Sequence, residues 1–69
     1  MNSQEIGNII KERRTFLGVD QKSLSELSGV AVHTLSDIES GKGNPTVAVL
    51  NMITRVLGMD LVVKVLDES

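Results

Sequence analysis

The sequence predicts an all-α fold: a compact bundle of four to five short helices, followed by one C-terminal β-strand. Three observations carry that expectation. Apolar residues recur at spacings of three and four in successive segments, the period of a helix with one buried face. A glycine follows each segment, at Gly18, Gly29, Gly41 and Gly58. Short polar residues suited to N-caps stand before three of them. The tail "DLVVKVLDE" then drops the helical period and becomes rich in Val.

The first helix starts at Asn2 or Ser3. Glu5 lies three residues beyond Asn2 in a box-like arrangement, and its charge suits the positive end of the helix dipole. Ile6, Ile9, Ile10 and Leu17 supply its apolar face, and Gly18 closes it as a left-handed cap. Asp20 caps the second helix, Gln21 is the first residue inside, and Leu24 and Leu27 are its expected core positions. After the turn at Gly29, Val30 and Ala31, a third helix runs from about Val32 to Ser40, burying Leu35 and Ile38. Gly43, Asn44 and Pro45 form a loop, and Thr46 caps a fourth helix with Val47, Leu50, Ile53 and Leu57 spaced for the core. Residues 1–59 form one domain, and 60–69 are a strand and tail.

The totals narrow the class. The chain has 69 residues and a net charge of −2, from 7 basic and 9 acidic residues. A chain of this size buries only roughly 60% of its unfolded surface, so its core is thin and a partner helps. There is no cysteine and one histidine, which excludes disulfides and argues against a metal centre. No apolar run approaches a membrane span, and no signal-peptide pattern opens the chain. The expectation is a soluble, cytoplasmic protein of bacterial or phage type. The sequence offers no paired nucleophile and base, no phosphate-cradling glycine motif and little volume for a pocket. It therefore reads as a binding module without cofactor rather than an enzyme.

Two short helices joined by a tight turn are the skeleton of a helix-turn-helix. The segment "QKSLSELSGVAVHTLSDIESGKGNP" resembles that motif in the phage-repressor/Cro-like (XRE) family. The resemblance rests on Gln21, Leu24, Gly29-Val30, Thr34-Leu35, Ile38-Glu39, Gly41 and Asn44-Pro45, and it extends from about Ile6 to Gly58. It implies a protein that binds double-stranded DNA, with the third helix in the major groove. Val32, His33, Ser36 and Asp37 then occupy base-facing positions. Gln21, Lys22, Thr34, Lys42, Gly43, Asn44 and Thr46 meet backbone phosphates. The same resemblance assigns Arg14 to an ion pair with Glu39 that ties helix one to helix three, in preference to a DNA contact. Lys11 and Arg13 are expected to be exposed, with Arg13 near phosphate.

The chain departs from the family's pattern in two places. Ala31 stands where a capping Ser or Thr is usual, and the third helix carries no Lys or Arg for guanine. The net negative charge disfavours a nucleic-acid partner, yet Glu5, Glu26, Asp60, Asp67 and Glu68 mostly lie away from the DNA-facing elements. Leu61, Val63 and Val65 alternate with Val62, Lys64 and Leu66, so one face of the tail strand is wholly apolar. Its small size, "GKGNPT" loop and tail look like HipB-type antitoxins. That likeness implies that Leu61, Val62, Val63 and Val65 pair across a dimer, and it makes a toxin protein a second candidate partner. A plain repressor is the first reading and an antitoxin the alternative.

Overall fold

In a computed structural model, residues 1–67 are described. Glu68, counted above among the acidic positions, and the last residue of the predicted tail lie outside the described residues. Among the described residues there are four helices: α1 (Ser3–Phe16), α2 (Gln21–Ser28), α3 (Val32–Glu39) and α4 (Val47–Val56).

Local chemistry sets their starts. The side chain of Asn2 accepts from the Glu5 backbone N–H at 2.9 Å. Asp20 accepts from Ser23 N–H at 2.7 Å, and Thr46 from Val49 N–H at 3.1 Å. Each satisfies a donor that the first helical turn leaves free. Ala31 offers no such bond, so α3 begins uncapped. At the other end, Gly41 takes φ +79°, the left-handed region that a side chain resists. Its N–H donates to the Ile38 carbonyl at 3.0 Å, and Lys42 N–H donates to the Asp37 carbonyl at 2.8 Å. This paired closure stops α3 and turns the chain back beside it. The ends of α1 and α4 close in the same manner.

The core is Ile10, Leu24, Val30, Leu35, Ile38, Leu50, Ile53 and Leu57, all buried, with Ile6, Val19, Val49, Val56, Met59 and Leu61 packed around it. Burying a large aliphatic side chain stabilises by roughly 1.5–3 kcal/mol, so each helix is anchored by one to three such residues.

Several expected core positions are not core. Leu27 is 67% exposed. Half-buried Gln21, Ser25 and Ser28 lie on the opposite side of Leu24 from Leu27, so the buried face of α2 centres away from it. Val47 is 65% exposed, because it occupies the first turn of α4, ahead of the buried stripe that begins at Leu50. On α1 the inward face is Ile6, Gly7, Ile10, Arg13 and Arg14. Ile9 sits at its edge, and Leu17 lies past the last helical residue.

The tail also differs from expectation. Residues 60–67 form no strand within the chain. The physical reason is the lack of a ladder partner, since a strand without a paired neighbour is not stable in water. Leu61 leans on the chain's own core, whereas Val63 and Val65 are almost fully exposed.

Candidate nucleic-acid interface

The third helix has two unlike sides. Leu35, Ile38 and Glu39 are buried, whereas Val32, His33 and Ser36 are exposed and Asp37 is half-buried. At 100° per residue, Val32, His33, Ser36 and Asp37 share one face, turned away from the buried set. His33 Nε2 lies 3.7 Å from Asp37 Oδ2, one helical turn along that face. The face therefore offers an apolar group, an imidazole, a hydroxyl and a carboxylate, with no fixed cation.

Two hollows flank α3. Thr34, Asp37, Lys42, Gly43, Asn44 and Thr46 gather around one of them. The paired closure at Gly41 produces this grouping, because it folds the Lys42–Thr46 loop back against α3. Most of the expected phosphate contacts thus share one flank. Gln21 and Lys22 open α2 on another part of the surface, with Lys22 exposed and Gln21 half-buried.

The second hollow is lined by Lys11, Arg14, Gln21, Ser36, Glu39 and Ser40. At its floor Arg14 Nε donates to Glu39 Oε2 at 2.7 Å, and a terminal guanidinium nitrogen donates to Glu39 Oε1 at 2.8 Å. The other terminal nitrogen donates to the Val19 carbonyl at 2.8 Å. Gln21 Nε2 adds a bond to Glu39 Oε1 at 3.2 Å. The two ionic side chains are only 11% and 4% exposed. One guanidinium thus joins α1, the α1–α2 turn and the end of α3, a forked geometry that a lysine lacks.

Charge states follow from these contacts. Burial pushes the Glu39 carboxyl up, but hydrogen bonds from Arg14 and Gln21, with the nearby charges of Arg14 and Lys11, outweigh it and hold the group below its ordinary value. The hydrogen bond to Glu39 raises Arg14 further above its already high value, against the opposing effect of burial. Asp20 is lowered chiefly by the hydrogen bond from Ser23 backbone N–H that it accepts as an N-cap.

Arg13, expected near phosphate, points elsewhere. Its Nε donates to the Leu57 carbonyl at 2.9 Å, and its guanidinium lies 5.6 Å from the centre of the Phe16 ring. It caps the carbonyl end of α4, where a cation complements the dipole. Gly7 is a residue that sequence patterning passed over. It is buried, and a Cβ there would overlap the Ile38 carbonyl oxygen and crowd the Glu39 carbonyl. The backbones of α1 and α3 therefore meet directly, beside the ion pair. A lone glycine inside a helical pattern signals such an approach only weakly.

Among the described residues no cluster of His, Asp or Glu is arranged to hold a metal, and no helix is long and apolar enough to cross a membrane. Two short helices, α2 and α3, joined by a tight glycine turn and presenting the second helix outward, define a helix-turn-helix module. The chain belongs to the helix-turn-helix family, whose model matches residues 10–63. It is also 34% identical over 63 residues to an uncharacterized HTH-type transcriptional regulator of Methanothermobacter thermautotrophicus, a match spanning 88% of this chain and 91% of that relative.

Proposed function

We propose that this protein is a DNA-binding transcriptional regulator, a repressor that binds an inverted-repeat operator as a homodimer. The observation that carries the reading is α3 itself: a helix whose exposed face has a hollow on either side, one bordered by Thr34, Lys42, Gly43, Asn44 and Thr46 and the other by Lys11, Gln21 and Ser36. An α-helix enters the major groove in this manner, with the sugar-phosphate walls beside it. Val32 contacts a thymine methyl, His33 bonds a base edge, and Asp37 accepts from cytosine N4. Without Lys or Arg on this face, guanine readout is weak. Phosphate contacts from Gln21, Lys22, Thr34, Lys42, Gly43, Asn44 and Thr46 supply much of the affinity.

The homodimer rests on the tail. Val62, Val63, Val65 and Leu66 are largely exposed, and Val62 lines an apolar groove with Ile6, Ile9, Leu50 and Met59. Two tails pairing antiparallel about a two-fold axis cover that surface and supply the missing ladder. The dimer then presents two α3 helices to half-sites about 34 Å apart.

Selection from a random duplex library tests the whole reading. The expected product is a palindromic sequence bound by a dimer, with His33→Ala relaxing preference at one or two base pairs. Failure to enrich any duplex refutes DNA binding. A chain that sediments as a monomer at tens of micromolar, or a Val63→Pro chain that dimerises normally, refutes the tail-paired dimer. The antitoxin reading keeps this interface and adds a toxin protein, so co-purification with a kinase-like protein separates the two.

A further inference from the structure

We infer that the two tails pair in one register, centred on Val62, with Asp60 of each protomer opposite Lys64 of the other. The inference rests on the tail-paired homodimer proposed above and adds the charged residues that align it. Among the described residues, no backbone hydrogen bond joins residues 60–66 to the rest of the chain. Asp60 and Lys64 are exposed, and among the described residues neither enters an ion pair. Met59 and Leu61 pack against the chain's own core. The same alternating row continues as Val63 and Val65, which are 97% and 95% exposed. An apolar row that starts on one body and runs off it needs a second body under its far end. A second copy supplies that body and the ladder together.

Symmetry limits the registers. In an antiparallel pair, directly opposite side chains share a face of the ladder, and successive side chains alternate between faces. A two-fold axis perpendicular to the ladder keeps each residue on the same face as its symmetry mate. The axis therefore passes between the two copies of a single residue. Centring on Lys64 sets two ammonium groups directly opposite, which destabilises the pair. Centring on Val63 sets Lys64 opposite the partner's Val62 and Asp60 opposite the partner's Leu66, so neither charge is directly paired. Centring on Val65 brings the partner's Asp67 opposite Val63, a carboxylate in the apolar row. Centring on Leu61 leaves Lys64 opposite the partner's Gly58. Centring on Val62 sets Asp60 opposite the partner's Lys64, twice by symmetry. It also sets Leu61 opposite the partner's Val63 and Met59 opposite the partner's Val65. The apolar row is then continuous across the axis, and each exposed end lies beside the residues that the other protomer packs on its core.

Cysteine scanning reads the register directly, because the chain has no cysteine of its own. Val62→Cys is expected to give a disulfide-linked dimer under mild oxidation, since directly opposite Cα atoms lie about 4.5–5.5 Å apart. In Val63→Cys the two sulfurs meet only on a diagonal of about 7–8 Å, and in Lys64→Cys they lie further apart, so both should crosslink at least about tenfold more slowly. Sedimentation tests the charges. Asp60→Lys and Lys64→Asp should each weaken self-association about tenfold to a hundredfold, because each sets like charges opposite at two places. An equimolar mixture of those two chains should dimerise like wild type, since every such pair again joins a carboxylate to an ammonium. Fastest crosslinking at Val63→Cys or Lys64→Cys, or a mixture as dissociated as its components, overturns this register and spares the tail-paired dimer. Equal crosslinking at all three positions, or a wild-type chain that sediments as a monomer, overturns both.

Discussion

Separating the buried pair of Arg14 and Glu39 tests how the module holds its shape. Replacing Glu39 by Leu leaves a guanidinium that is 11% exposed with only the Val19 carbonyl as a partner. Replacing Arg14 by Met leaves a carboxylate that is 4% exposed with only the Gln21 amide. Breaking a buried pair from one side costs about 3–5 kcal/mol, most of it the uncompensated charge. A domain of this length is stable by roughly 3–10 kcal/mol in all, so either single change removes much of the margin. Replacing both residues removes the orphaned charge. The double variant is expected to recover about 1–3 kcal/mol relative to the sum of the singles. Should the singles fail to fold, Glu39→Gln keeps the volume and one acceptor, and costs roughly 1.5–3 kcal/mol.

Urea denaturation followed by far-ultraviolet circular dichroism measures all of these variants. The protein concentration must be fixed, because self-association shifts apparent stability by mass action. A coupling energy below about 0.5 kcal/mol is ordinary additivity. That result would refute the claim that this pair holds α3 against α1.

Three further outcomes are expected. Gly7→Ala should destabilise by about 2 kcal/mol or more, despite the roughly 1 kcal/mol that alanine gains as a helix former, because α1 and α3 must separate; a melting temperature at or above wild type contradicts the close approach. Ala31→Ser should stabilise by about 0.5–1 kcal/mol, raising the melting temperature by several degrees, since the backbone at Ala31 already has φ −58° and ψ 145° and needs only an acceptor. Acid should weaken the fold: the lowered Glu39 carboxyl contributes stability that is complete above the ordinary glutamate value of about 4.3 and is lost as the pH falls through its depressed value. A urea midpoint measured from pH 7 to pH 2.5 should decline over that window, and less steeply in Glu39→Gln.

What the sequence reveals here is mostly local chemistry. Asn2, Asp20 and Thr46 are legible as caps because an N-cap bond spans three residues and depends on little else. The same holds for the Gly41 turn, which needs a left-handed residue whatever surrounds it. Core assignment is weaker on eight-residue helices. Leu24 and Leu27 in α2 are 60° apart on the helical wheel, so periodicity alone cannot say which side of Leu24 faces inward. The half-buried serines that decide it carry no hydrophobic signal. Arg13 and Arg14 are adjacent and chemically alike, yet one caps α4 and the other enters the Glu39 pair. The difference is the 100° between successive side chains, and only a family resemblance singled out Arg14. Gly7 gave only a weak signal, because what it accommodates is the backbone of a helix distant in sequence. The tail was legible as an apolar alternating segment, but alternation specifies a strand only where a ladder partner exists.

The distribution of restraints around α3 follows from its own weakness. At eight residues it is far shorter than the roughly 12–15 that a helix needs to persist alone in water. It has no side-chain cap at its start, no acidic residue in its first turn and no basic residue in its last. Its conformation therefore comes from its neighbours: Leu35 and Ile38 in the core, the Gly7 approach, and Glu39 held by Arg14 and Gln21. The polar restraints lie at its C-terminal end, close to Ser36 and Asp37 on the outward face. They leave the start, with Val32 and His33, held mainly by packing. A helix fixed at one end and uncapped at the other transmits changes in α1 to its free end. On the proposed DNA-binding reading, substitutions at Gly7 or Glu39, neither of which lies on the outward face of α3, should therefore alter base preference at the Val32 and His33 positions before they abolish binding. Library selection with the Glu39→Gln chain measures this. A preference identical to wild type, at reduced stability, would show that α3 keeps its pose without the pair.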